Sequence, residues 1–378
     1  MSTHLTEEQE LIAKNARDFA EEYLDPIVAE LDRTDVFPTD VVKKMAEQDF
    51  LGLFLPAEFG GAEAGYVSFV GVIENLSRSC AAVASIVVNH SLAAYAIQRW
   101  GTPAQKQDYL PALASAKTLG AFAVYENGPT PGVGPDALMA VKQPEGWLLN
   151  GTKAYVRNAG KADIYVVLAC TEVAAGAKAL TAFVVSGAAV GLTVGEPAET
   201  MGLKGCPVAN LVFKNVMLAE SAMLGVPNQG MVIAAETLSL GALAEAAQTV
   251  GIGQAAVEHA AAYSKTRVQF GRPISALQAI QTLLAETVTD CHMARLGVLH
   301  AAQLMEDGEP FQTEVAMVKQ FLARLGSKML LDTVQVEGGF GYSETMPLPR
   351  LFRDIAGTTL LDAPADFPEK TIAAALLA

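Results

Sequence analysis

The chain has few of the residues on which metal centres, disulfide scaffolds and nucleic-acid surfaces depend. It has 4 cysteines and 5 histidines in 378 residues. Cys80, Cys170, Cys206 and Cys291 form no CxxC pair and have no histidine at ligand spacing, so neither a zinc site nor a disulfide framework is expected. They read as reduced, buried thiols of a cytoplasmic protein. His4, His90, His259, His292 and His300 are scattered. Only His292 and His300 fall in one helical stretch, where packing accounts for them better than a metal or a Ser-His-Asp triad. Basic residues are also short: 26 Lys and Arg stand against 41 Asp and Glu, a formal charge of -15. That balance argues against nucleic acid and against anionic membrane surfaces, so a polyanionic ligand must meet local positive spots. No basic segment followed by an apolar one opens the chain. The apolar run at 179–194 is interrupted by Gly, Ser and Thr, and no membrane span is expected from it.

What the chain does have is apolar residues, 51% of the total, enough to fill two or three cores at this length. Thr6 and Gln9 stand at capping-box spacing ahead of a helical period that runs to Pro26, and helical signals continue to about residue 115. The break at FLPAEFGGAEAGY, 54–66, is too rich in Gly and Pro to remain helical. Between about 119 and 228 short Val-, Tyr-, Phe- and Thr-rich runs alternate with Gly, Pro and Asn turns, as strands do. After Pro227 two long apolar helical stretches suit a bundle with faces left over for an oligomer. The expected fold class is α+β: a helical domain at 1–118, a β domain at 119–228 and a helical bundle at 229–378.

Four segments carry more specific information. They read RVQFGRPISALQAIQ from Arg267, QVEGGFGYSETMPLPRLFRD from Gln335, NGTKAYVRNAG from Asn150, and TMGLKG from Thr200 with NLVFKNVML from Asn210. In their order along the chain they resemble motifs of the acyl-CoA dehydrogenase family. The resemblance implies a helical domain, a β domain and a four-helix domain assembled as a tetramer, with FAD bound between subunits and electrons passed to an electron-transfer flavoprotein. It also implies a reaction in which a carboxylate takes the α-proton of an acyl-CoA thioester while hydride leaves the β-carbon for the flavin. By the same resemblance Arg267, Gln269, Phe270, Gln335, Gly338 and Gly339 reach the pyrophosphate and adenosine of the FAD whose ring lies in a neighbouring subunit. An arginine fork and close-approach glycines suit that task.

The residues matching the family's flavin-ring side depart from its pattern. Tyr125 stands before Glu126 where the family has a hydroxyl residue, Pro135 replaces the serine of the following loop, Tyr155 replaces a Trp, and Arg157 replaces the Thr that meets the flavin edge. Arg157 must then bury its charge against the ring at a cost of several kcal/mol, fill part of the flavin space, or turn to solvent and leave the site intact. At the position of the catalytic Glu stands Asp362, shorter by a methylene and followed by Ala363-Pro364 in place of Gly-Thr. At the alternative base position on the long helix stand Gly241 and Ala242, with Glu245 one turn further along.

Features that would serve a neighbour's FAD are therefore kept, and those that would serve the chain's own FAD and substrate are altered. Identical subunits would carry the defect into every site, whereas an α2β2 heteromer would not. The leading expectation is a FAD-lending subunit of a heteromeric acyl-CoA dehydrogenase, partnered by an intact second subunit. A divergent homotetramer with Asp362 as base, and a scaffold that has lost FAD, are the alternatives.

Overall fold

The computed structural model describes residues 5–128, 137–172, 179–360 and 367–377. The chain starts with α1 (Glu7–Phe19), whose N-terminus has the reciprocal cap: the Thr6 hydroxyl accepts from Gln9 N at 3.2 Å and Thr6 N donates to Gln9 Oε1 at 2.9 Å. The last turn widens to a π turn over Ala20–Leu24 ahead of Pro26. Then come α2 (Val28–Thr34) and α3 (Thr39–Glu47), an irregular stretch containing the predicted break, α4 (Gly65–Trp100) and α5 (Pro103–Ala114).

The middle of the chain is an eight-stranded sheet: β1 (Gly120–Ala123), β2 (Met139–Gln143), β3 (Gly146–Arg157), β4 (Ile164–Cys170), β5 (Leu180–Ser186), β6 (Leu192–Val194), β7 (Val208–Leu218) and β8 (Met223–Leu224). The hydrogen-bonded order is β6-β7-β3-β2-β4-β5-β8, with β1 parallel to β4. β3 and β7 are antiparallel, with register shifts between Leu149 and Gly151 and between Lys153 and Val156. β2 has no counterpart in the sequence expectation.

The last part holds α6 (Gly230–Thr266), the hairpin β9 (Val268–Gln269) and β10 (Arg272–Pro273), then α7 (Gln278–Glu306), α8 (Gln312–Glu337), α9 (Leu348–Leu360) and α10 (Phe367–Leu377). Helical, sheet and helical segments in this order are the expected α+β class.

One continuous apolar core joins the two helical regions, with α4 inside it, and a second core lies within the sheet. Outside the run at 179–194, α4 and α6 are each long and apolar enough to cross a bilayer. Their apolar stretches are 100% and 72% buried inside the protein, as core helices are. α4 and α6 approach so closely that a Cβ on Gly251 would lie 2.1 Å from the Glu74 carbonyl oxygen. The sheet is held to α4 by His90, fully buried, whose Nδ1 accepts from Gly120 N at 3.1 Å at the start of β1. Burial pushes the His90 imidazole down to about 4.

Two outcomes follow for stability. Gly251→Ala forces the central helices apart and lowers unfolding free energy in urea by about 1–3 kcal/mol. Unfolded His90 takes a proton near 6.5, whereas the folded chain refuses it until about 4. The unfolded state therefore binds more protons in this window, and stability falls as pH drops through it. A loss of about 3 kcal/mol is expected between pH 6.5 and 4, visible as a falling urea midpoint and reduced in His90→Asn.

Candidate functional site

The residues singled out in the sequence gather at two separate places. The first is built on the turn after α6. Arg267 ends that helix with its N–H on the Tyr263 carbonyl, and its own carbonyl accepts from Ile274 N, closing the β9–β10 hairpin. The two residues at the tip, Phe270 and Gly271, have φ of 52° and 76°, the positive values of a tight mirror-image hairpin turn. Gly271 adopts this freely, but an aromatic residue there is strained, and strain of this kind clusters at binding sites. The turn holds the Phe270 ring 89% exposed.

Facing the hairpin is the C-terminal end of α8. Gly338 caps it at φ 60°, ψ -134°, a backbone conformation open to glycine. A Cβ on Gly338 or Gly339 would meet nothing within 4 Å, so packing within the chain does not require either residue to be small. Between hairpin and helix end lies a groove of about 620 Å³. Arg267, Gln269, Phe270, Gln335, Gly338 and Gly339 all line it. Among the described residues Arg267 has no carboxylate partner, although the chain is strongly acidic. An unpaired guanidinium beside accessible backbone N–H groups is a suitable receptor for a diphosphate.

The second place lies where β3 meets the helical core. The bulge after Lys153 puts Tyr155 at φ 54° with its side chain 68% exposed. Next to it, the Arg157 backbone is anchored: its carbonyl accepts from Asn89 Nδ2 at 2.6 Å, and Asn158 Nδ2 donates to the Ile86 carbonyl at 3.1 Å. The Arg157 side chain is 5% exposed and points into the protein, where Nη2 lies 3.1 Å from Glu245 Oε1. The other Glu245 oxygen is 2.7 Å from Lys319 Nζ, which also donates to the Thr358 carbonyl at 3.0 Å. A guanidinium from the sheet, a carboxylate from α6 and an ammonium from α8 thus form one buried network.

Tyr125 is half-buried against the helical core, and Glu126 is buried beside Lys153, with which it pairs. Burial pushes the Lys153 ammonium down to about 8, against the pull of Glu126. The crevice lined by Tyr125, Tyr155, Arg157, Asn89 and Leu238 encloses about 20 Å³, room for one water and not for an acyl chain. On the other side of Arg157 a cavity of about 310 Å³ is lined by Met201, Leu203, Cys206, Val208 and Arg353. Arg353 forks onto Asp32, with Nη1 to Oδ1 at 2.8 Å. Pro135 and Asp362 lie outside the described residues.

Sequence reasoning weighed Glu245 only as a remote candidate base and did not consider Lys319. The available signal was an isolated carboxylate in an Ala-rich, otherwise uncharged helical run.

Family models cover nearly the whole chain. The acyl-CoA dehydrogenase N-terminal domain matches residues 6–117, the middle domain residues 130–216 and the C-terminal domain residues 228–377. The chain belongs to the acyl-CoA dehydrogenase family. It is 39% identical over 375 residues to the 3-(aryl)acrylate reductase of Clostridium sporogenes, covering 98% of this chain and 99% of that protein. It is 38% identical over 375 residues to an acyl-CoA dehydrogenase of Bacillus subtilis, covering 99% of each. Butyryl-CoA dehydrogenase from Megasphaera elsdenii superposes with a TM-score of 0.96 at 32% identity over 100% of both chains. The chain is thus an oxidoreductase of the acyl-CoA dehydrogenase type, a flavoprotein family.

In a family of flavoproteins the two places fit a flavin dinucleotide unequally. The groove has the donors, the volume and the bare glycine backbone for its nucleotide half. At the β3 position the arginine is committed to Glu245, and the adjoining crevice is closed. Removing the central carboxylate should expose the cost of that commitment. Glu245→Leu removes the buried carboxylate shared by Arg157 and Lys319 and should lower stability by about 3–5 kcal/mol in urea unfolding. Arg157→Thr leaves Glu245 its Lys319 partner and should cost about 2 kcal/mol or less.

Proposed function

We propose that this chain is the FAD-lending subunit of a heteromeric acyl-CoA dehydrogenase that catalyses α,β-dehydrogenation of an acyl-CoA thioester. Its groove holds the pyrophosphate and adenosine of a FAD whose flavin ring is seated in a second acyl-CoA dehydrogenase subunit. The observation that carries this reading is the contrast between an open groove with an uncommitted Arg267 and a flavin-edge position filled by the Arg157–Glu245 ion pair. In identical subunits both halves of every site come from the same sequence, so closure at Arg157 would spoil all of them. A partner chain with an intact ring side removes that conflict.

Arg267 supplies a two-pronged charge-assisted contact to the pyrophosphate, and the N–H groups at Gly338 and Gly339 approach its oxygens. Phe270, held out by its strained turn, covers the nucleotide from the other side. Bound FAD supplies the oxidant that accepts hydride from the substrate β-carbon. In this reading the carboxylate that takes the α-proton belongs to the partner chain, in keeping with a crevice of only about 20 Å³ between Tyr125 and Arg157. The same proton-and-hydride pair run backwards reduces an unsaturated acyl group, consistent with a relative named as an acrylate reductase. An electron-transfer flavoprotein is the redox partner this reading expects.

Flavin counting tests the proposal. The chain purified alone should hold well under one flavin per protomer, and the α2β2 complex should hold two per tetramer. In that complex Arg267→Ala on this chain should release most of the flavin without unfolding either subunit. A yellow, active homotetramer with one flavin per chain would reject the proposal and favour Asp362 as a working base. A complex without flavin would favour a scaffold.

A further inference from the structure

The nucleotide groove contains a carboxylate that no part of the proposed FAD contact explains. Glu337 is the last residue of α8, lines the groove beside Gly338, and has a side chain 0% exposed. Its Oε1 lies 2.6 Å from His259 Nδ1 on α6, one turn before Tyr263, which also lines the groove. Its Oε2 is buried and has no hydrogen-bond partner. A carboxylate oxygen left without a donor in the interior is unfavourable, and native proteins leave few such atoms unless a ligand or ion completes them.

We propose that Glu337 is a recognition residue for the nucleoside in this groove, its Oε2 accepting a hydrogen bond from a neutral N–H or O–H donor of adenosine. The inference rests on the reading of the groove as a nucleotide site and adds to it the residue that selects the nucleoside. Charge sets the polarity of the ligand. The diphosphate belongs with Arg267 and the backbone N–H groups of Gly338 and Gly339, and a second anion is repelled by Glu337. The neutral adenosine end is thereby directed toward Glu337 and the rings of Tyr263 and Phe340, whose centroids lie 6.3 Å apart on the groove wall. Adenosine has two kinds of neutral donor, the exocyclic amine of the base and the ribose hydroxyls. Either completes Oε2, and His259 fixes the carboxylate from behind. A carboxylate here also disfavours any nucleotide with a phosphate on that ribose.

The test is binding of adenosine diphosphate to the purified full-length chain by ligand-detected NMR titration, with melting curves confirming that each variant is folded. Glu337→Leu should weaken binding about tenfold or more, and Glu337→Gln, which keeps the shape and a neutral acceptor, should weaken it less. Inosine diphosphate lacks the amine and 2′,3′-dideoxy-ADP lacks the hydroxyls. The analogue missing the relevant donor should bind the wild type as weakly as ADP binds Glu337→Leu, and should be indifferent to that substitution. Wild-type affinity for ADP in Glu337→Leu overturns the inference, as does equal binding of ADP and both analogues. If Arg267→Ala abolishes ADP binding while Glu337→Leu does not alter it, the nucleotide reading stands and only the role of Glu337 falls. ADP binding that is absent from the wild type, or unchanged in Arg267→Ala, removes both.

Discussion

A guanidinium in a protein interior needs a carboxylate, and the need of Arg157 governs the junction between sheet and helices in this chain. β3 delivers the arginine inward because Asn89 and Asn158 pin its backbone on either side. α6 answers with Glu245 from a run that is otherwise Ala, Leu, Gly, Ser, Thr and Gln, and α8 adds Lys319. Each of these charges would be prohibitive alone, and together they are tolerable. The arrangement is specific as well as stable: the carboxylate is held between two cations and is unsuited to remove a proton from a substrate. Glu126 is held in a similar way by Lys153. Among the described residues, Glu245 and Glu126 are thus each paired with a buried cation.

The groove is built on the reverse principle. In the groove between the β9–β10 hairpin and the end of α8, Arg267 has no carboxylate partner among the described residues, glycine backbone is bare, and Phe270 projects from a strained turn. The proposed function assigns the groove to a cofactor shared with a second subunit.

Much of the architecture was legible in the sequence because local signals agreed with the global fold. The Thr6–Gln9 box starts the first helix as expected, and the Val-rich runs at 164–170, 180–186 and 208–218 are strands. β2 was not legible: MAVKQ has neither the β-branched content nor the alternation of its neighbours, and it becomes a strand by pairing with β3. The groove residues were legible as a set because their spacing matches a family pattern, although only the structure gathers the hairpin and the helix end around one cavity. The partner of Arg157 was not legible. Sequence reasoning could weigh the cost of an unpaired cation, but not see that a residue 88 positions away would meet it, since that contact is set by how the sheet docks on α6.

The most direct measurement is a crystal structure of the flavin-loaded assembly containing this chain. The account predicts that the adenosine and pyrophosphate rest on Arg267, Gln335, Gly338 and Gly339 of this chain, the isoalloxazine ring rests on a different polypeptide, and the Arg157–Glu245 pair is intact. A flavin ring stacked beside Tyr155 and Arg157 of this same chain, with that ion pair broken and the reactive edge open to an acyl thioester, would contradict it.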